Sequence, residues 1–337
     1  MTYIKMEENK DFNWHGYNES QTREKILFAQ LLKELCGIIK QPIHCKGRKP
    51  ATFRHQVFCM CMKIFEQTSS RRVISELELC KRAHYLFKLP HFNSLINYFN
   101  NPALIPILKE LIEISAMPLA QIEKRFAVDS TGFSLRILSE RWSNARLQFR
   151  EHRKYLKAHI LYGTYSNIAT ACEVTDGTSN DSPQFKPLLK EASKHFAIEE
   201  LSADMAYSSR DNVKAVFDVG GFPLIPFKSN AVGNARGTLL WTKLFDYFKA
   251  HPEEFMARYH LRSNAESGFW MIKQRFGQHV KSRNMIGQTN EILCKVLCHN
   301  LAVLVQEMFL SGIEINFYEE MRTHSAQQSS PLAQERD

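Results

Sequence analysis

The sequence predicts an α/β protein: helices alone as far as Lys124, then a mixed sheet flanked by helices. Three observations predict it. From Ser20 to Lys124 apolar residues recur at three- and four-residue spacing, the period of a helix with one buried face. From Phe126 onward the character changes. Short apolar runs such as Phe126-Ala127-Val128 and Leu201-Ser202-Ala203 each end in Asp, with helical patterns between them. Finally, residues 288–309 form a long helical pattern (Ile292, Leu293, Val296, Leu297, Leu301, Leu304) apolar enough to need a core around it.

Taken in order, residues 1–18 are polar and expected to be loose. Ile26, Leu27, Leu31, Leu32, Leu35 and Ile38 predict a helix from Ser20 to about Lys40. A loop follows, punctuated by Pro42, Gly47 and Pro50. It carries Lys46, Arg48 and Lys49, with Arg54 just beyond, and reads either as a solvated loop or as a grip on a DNA backbone. Phe53–Phe65 is a second helix. Ser69 or Ser70 caps a third through Val73, Ile74 and Leu77, with Arg71 and Arg72 in its first turn against the dipole preference. Leu89-Pro90 breaks the chain before helices at His91–Tyr98 and Pro102–Met117. Short helices with a basic turn suit a helix-turn-helix reader, and equally a bundle that only packs on the core.

Phe126-Ala127-Val128-Asp129 is a buried strand delivering a carboxylate at its end, before Gly132. A basic stretch (Arg146, Arg150, His152, Arg153, Lys154, Lys157) leads into a hairpin of two strands turning at Ser166-Asn167. Lys157 and His159 alternate and therefore share a face. Asp181 or Ser182 caps a helix with Pro183 in its first turn, and that role accounts for Asp181 without chemistry. A strand ending in Asp204 follows, then a helix from Ser208 or Ser209 closed by Gly220-Gly221. Residues 222–227 form an edge-like strand with two prolines, and a helical pattern spans Leu239–Phe248. Lys281, Arg283 and Asn284 make a basic link, and the end of the chain is polar. Three strands, then alternating helix and strand, is the order of an RNase H-like core with a mixed five-stranded sheet.

Length and composition agree. At 337 residues there is room for two domains, with 44% hydrophobic and 23% charged residues, ordinary for a globular chain. The expected division is a loose 1–18, a helical, DNA-binding 19–124, a catalytic 125–310 and a polar tail 311–337. A formal charge of +9 points to a polyanionic partner, nucleic acid first. The eight Cys form no CxxC pair. His44, Cys45, His55, Cys59 and Cys61 match no structural zinc spacing, so buried free thiols of a reducing cytoplasm are expected. No apolar leader and no uncharged apolar run of about 18 residues is found, so no membrane span is expected.

The most informative stretch is Tyr259 to Lys273. Tyr259, Arg262, Glu266 and Lys273 fall within an arc of roughly 60° if the segment is one helix, and Trp270 lies beside them. Arg262 and Glu266 alone would be an ordinary i,i+4 surface pair. The aromatic residues on the same stripe suggest a half-buried polar face bordering a phosphate site. Tyr-x2-Arg-x3-Glu-x6-Lys resembles the signature helix of bacterial insertion-sequence transposases of the DDE type, and all four positions match.

The resemblance covers residues from Phe126 to Leu304 and implies a catalytic and metal-binding triad of Asp129, Asp204 and Glu266, separated by 75 and 62 residues. The second interval leaves no room for the β-rich insertion domain some relatives carry. It implies two Mg²⁺ ions, with Mn²⁺ as a substitute and Asp129 bridging them, because hard oxygen ligands suit such ions. Arg262 and Lys273 would hold DNA phosphates. Tyr259 would hydrogen-bond a phosphate or stack on a base, and Lys157 and His159 would contact phosphate. Trp270 is a stacking platform or a core residue. The implied function is a DNA transposase: binding of terminal inverted repeats as a homodimer around paired ends, cleavage of double-stranded DNA at the element's ends, and joining to target DNA in the bacterial cytoplasm, at the nucleoid. The alternatives are a nuclease of the same fold that does not join strands, and a silent or repurposed DNA-binding copy.

Overall fold

The computed structural model describes residues 13–42, 50–135, 155–234 and 239–328. The loop cations Lys46, Arg48 and Lys49, the His44-Cys45 pair and the basic residues from Arg146 to Lys154 lie outside the described residues.

The first part is helical: α1 (Trp14–Ile38), α2 (Phe53–Phe65), α3 (Val73–Arg82), α4 (Phe92–Phe99) and α5 (Leu104–Ala116). Helix α1 begins six residues before Ser20, inside the stretch expected to be loose. Asn13 caps it by accepting from Gly16 N at 2.8 Å, and Gly16 lets the helix start lie against the Phe309 carbonyl, where a Cβ would come within 2.7 Å. Helix α3 starts at Val73. Arg71 and Arg72 therefore sit in the preceding turn, where Ser69 Oγ accepts from Arg72 N at 3.3 Å, and not in the helix's first turn.

The sheet contains β1 (Arg125–Leu135), β2 (Tyr155–Gly163), β3 (Ala169–Asp176), β4 (Glu200–Ala203) and β5 (Phe222–Leu224), in the order β3-β2-β1-β4-β5. The first three strands are an antiparallel meander, while β4 and β5 run parallel to β1. This is the RNase H-like arrangement. A sixth strand, β6 (His279–Val280), was not expected. It pairs parallel to β1 at Ser134 and Leu135, just before the stretch read as a basic link. Helices α6 (Ser182–Ala192), α7 (Arg210–Asp218), α8 (Leu239–Ala250), α9 (Pro252–Tyr259) and α10 (Ser263–Phe276) surround the sheet. The hairpin turn uses Asn167 at φ +63°, a left-handed position that Asn tolerates. Glu123, almost fully buried, pins it by accepting from Tyr165 N and from Ser166 N and Oγ.

Helix α11 (Met285–Leu310) is the axis on which these parts meet. Leu293, Val296, Leu297, Leu301 and Leu304 are fully buried, and the helix packs on α1, α2, α5 and β3. It is long and apolar enough to cross a membrane by composition, but 83% of that window is buried in the protein. Its polar residues are buried as well. Asn290 Nδ2 donates to the Phe99 and Asn101 carbonyls, and Asn300 bonds both α5 and β3. The segment expected to be a polar tail contains a further helix, α12 (Phe317–Gln328), anchored by the fully buried Phe317. Among the described residues all seven Cys are free and buried.

His299 of α11 supplies a pH prediction. Its Nε2–H donates to the Asn167 carbonyl at 2.8 Å, and burial lowers its pKa to about 4. In the unfolded chain it titrates near ~6.5, so between these values only the unfolded state takes up the proton. Stability is expected to fall as pH drops from ~6.5 to ~4, by about 3 kcal/mol from this residue. Urea unfolding at pH 7 and pH 4.5 should show it, and His299→Gln should flatten the difference.

Candidate active site

The pairing of β1 creates a notch. On the side away from β2, β1 is held by β4 from Arg125 to Val128 and by β6 at Ser134 and Leu135. Residues 129–133 between them have no strand partner on that side among the described residues. Asp129 opens the gap. It is therefore not at the end of its strand, as the sequence suggested, since β1 continues through Gly132 to Leu135. It is the first residue past the β1–β4 ladder, and Asp204 is the first residue past the same ladder on β4, where Val128 pairs with Ala203. Parallel neighbours lie about 4.8 Å apart, so the register alone places these two carboxylates side by side. Asp204 also begins a 3₁₀ turn at Met205–Tyr207, accepting from Met205 N.

The third carboxylate arrives on α10. The segment from Tyr259 to Lys273 is not one helix: Tyr259 ends α9, His260–Arg262 is a 3₁₀ turn, and Glu266 and Lys273 are on α10. Arg262, at the end of the 3₁₀ turn, reaches the carboxylates. Its Nη1 donates to Asp129 Oδ2 at 3.2 Å, its Nη2 to Glu266 Oε1 at 2.9 Å, and its guanidinium lies 5.7 Å from the Tyr259 ring centroid. Asp129, Thr131 and Phe133 share a face of β1. Lys273 reaches that face from two helical turns beyond Glu266, donating to Thr131 Oγ1 at 2.6 Å above the Phe133 ring.

Electrostatics agree with the geometry. Asp129's carboxyl is held above its usual range, first by burial, then by the charges of Glu266 and Asp204. Ser130 N–H and Arg262 act against the rise. Burial, with the charges of Asp204 and Asp129, raises the Tyr259 hydroxyl against the pull of Arg262. Burial lowers the Lys273 ammonium.

The remaining expected residues fall elsewhere. Trp270 is 63% exposed on α10 and is no core residue. Lys157 and His159 pair with Gly132 and Ser130, which puts them on the face of the sheet opposite Asp129. There Lys157 Nζ bonds Asp181 Oδ1 at 2.9 Å, and the fully buried His159 bonds Thr175 Oγ1 at 2.8 Å. Asp181 makes no side-chain cap bond to α6, contrary to its reading as a cap, because its carboxylate is taken by Lys157.

One residue of the site escaped sequence reasoning. Gly268, two positions past Glu266, lies so close to the fully buried Tyr162 of β2 that a Cβ would sit 2.9 Å from the ring. Its signal was present: an isolated glycine inside a helical pattern marks a close approach. Gly268→Ala is expected to push α10 and Glu266 outward and to slow the reaction on the order of tenfold, since small misplacements of reacting groups are costly. Single-turnover rates at matched DNA binding would test this.

Three carboxylates facing one arginine and one lysine are a site short of positive charge. All its acidic donors are hard oxygens, the kind that suit Mg²⁺ or Mn²⁺. In the conformation described, Arg262 lies between Asp129 and Glu266, and no three acidic or thiol side chains among the described residues close around one point.

Residues 121–301 match a family model described as a transposase DDE domain. No curated protein sequence matches the chain. Among solved structures, the cryo-EM structure of a piggyBac transposase synaptic complex with hairpin DNA aligns with 92% of this chain and 84% of that one. The identity is 10% and the TM-score 0.43, a likeness too slight to carry a functional argument.

Proposed function

The chain belongs to the family of DDE transposases, and from that premise we propose that it cleaves double-stranded DNA at the ends of an insertion sequence and joins those ends to target DNA. The observation that carries this reading is the side-by-side placement of Asp129 and Asp204 past the β1–β4 ladder, with Arg262 bonded to both Asp129 and Glu266.

Two divalent ions held by these three carboxylates would supply activation of the attacking oxygen and neutralisation of the leaving 3′ oxygen. The protein's own part is positioning. Arg262, bound to two carboxylates, carries the bidentate donors that a phosphodiester accepts. Lys273, held by Thr131 at the floor of the notch, would anchor a phosphate beside the cut. Tyr259, partly buried against Arg262, would bond a phosphate or stack on a base, and the exposed indole of Trp270 offers a further stacking surface. Lys157 faces the other side of the sheet, so any phosphate it meets belongs to DNA passing that face. The terminal inverted repeats are the expected specific partner, engaged by the N-terminal helices of residues 19–124, with two copies of the chain on paired ends.

The deciding experiment is incubation of a labelled duplex carrying the element's own end with Mg²⁺, read for nicking and for joined products. Nicking at the end followed by joining supports transposition. Nicking without joining would leave a nuclease, and binding without nicking would leave a silent DNA-binding copy.

A further inference from the structure

Two features that the sequence leaves unassigned meet in space. The segment before α3 (Thr68 to Ser70) and the link between β6 and α11 (Lys281 to Asn284) line one cavity of about 610 Å³. Lys63 of α2 forms part of its lining, together with Asn100 and Ser282. Three cations, Lys63, Lys281 and Arg283, therefore face a space with one carboxylate, Glu291. That carboxylate is already engaged: it accepts from Lys281 N, Ser282 N and Ser282 Oγ. Lys63 forms no ion pair among the described residues, and its ammonium rests 5.1 Å from the Phe99 ring centroid. Thr68 Oγ1, on the same wall, is buried with no hydrogen-bond partner. The start of the long helix α11 opens on the cavity, adding a positive helix end to the three cations.

From these observations the geometry points to a second anion site, which binds a backbone phosphate of the DNA duplex held at the catalytic notch. This rests on the reading of the notch as a DNA-cleaving site. The sheet sets the separation. Val280, next to Lys281, pairs with Leu135, six residues along β1 from Asp129. At about 3.3 Å per residue the site lies roughly 20 Å from the catalytic carboxylates. A duplex rises about 3.4 Å per base pair, so the phosphate engaged lies about six base pairs from the cut. The same site ties DNA to the junction of the helical layer and the sheet, since its walls come from both.

The test compares the wild type with the double substitution Lys281→Ser/Arg283→Ser, and separately with Lys63→Met, which keeps the apolar stem over Phe99. Binding to the labelled end duplex is measured across salt concentrations. Each lost phosphate contact should lower the slope of log affinity against log salt by about 0.9, with affinity down about tenfold near 0.1 M salt. Cleavage at saturating protein should be unchanged. In a scan of single neutral methylphosphonates, the position about six base pairs from the cut should weaken the wild type and not the double variant. Unchanged slopes with intact cleavage, or methylphosphonate losses that are the same in both proteins, overturn the site and leave the catalytic reading standing. A wild type that binds the duplex but never cuts it, with the slope still reduced in the variants, overturns the catalytic reading and leaves a DNA-binding cavity. A wild type that neither binds nor cuts removes both.

Discussion

Glu266→Gln is expected to slow strand cleavage by about a thousandfold while leaving DNA affinity within about twofold. The size follows from losing one of the charged groups that would hold the divalent ions of the proposed reaction. The selectivity follows from the structure. Glu266 is 62% exposed, and its one ion pair among the described residues is with Arg262. Removing its charge therefore disturbs neither the core nor, at more than about 1 kcal/mol, the stability. Asp129→Asn should match the loss in cleavage, though Asp129 is 19% exposed and bonded to Ser130 N, so a stability control is needed there. Single-turnover cleavage and binding measured in the same samples decide the matter. Equal cutting by wild type and Glu266→Gln would remove this carboxylate from the centre.

Asn300→Ala is expected to lower stability by about 3 kcal/mol, shifting the melting temperature by about 4 °C. Asn300 is fully buried. Its Nδ2 donates to the Ala169 carbonyl at 2.7 Å, to Ser115 Oγ at 2.9 Å and to the Ile112 carbonyl at 3.2 Å, while its Oδ1 accepts from Ala169 N at 2.9 Å. Truncation leaves both backbone groups of Ala169 without partners inside the protein and opens a void between α5, α11 and β3. The urea midpoint reports it, and a loss under about 1 kcal/mol would mean that water fills the gap and restores the bonds.

What could be read from the sequence followed from local periodicity. The parallel ladder of β1 and β4 was implied by two apolar runs each ending in Asp, and the long apolar pattern of α11 by its composition. What escaped depends on contacts distant in sequence. His279 and Val280 form a strand only because β1 runs on past Asp129, and two residues carry no pattern of their own. The 3₁₀ turn at His260–Arg262 contains neither Gly nor Pro, so nothing local announces it, yet it carries the Arg262 that bonds Asp129. The polar look of residues 311–337 hid Phe317, whose burial is decided by α1 and α5. Lys157 and His159 show the limit of alternation: they share a face, as read, but only the register with β1 reveals that it is the one turned from Asp129.

The place of α11 in the chain has a consequence for synthesis. The N-terminal helices and the sheet are joined through Asn290 and Asn300, and both belong to a helix that begins only at Met285. While the ribosome is still adding those residues, the earlier segments can meet through α5 and β3, where Lys109 pairs with Glu173, but Asp129 and Asp204 wait on a sheet without the long helix that backs it. A nascent chain of this kind can fold pieces but not its full core, and under the proposed reading cutting waits until translation has passed Glu266 and the helix behind the sheet, a safeguard written into chain order alone.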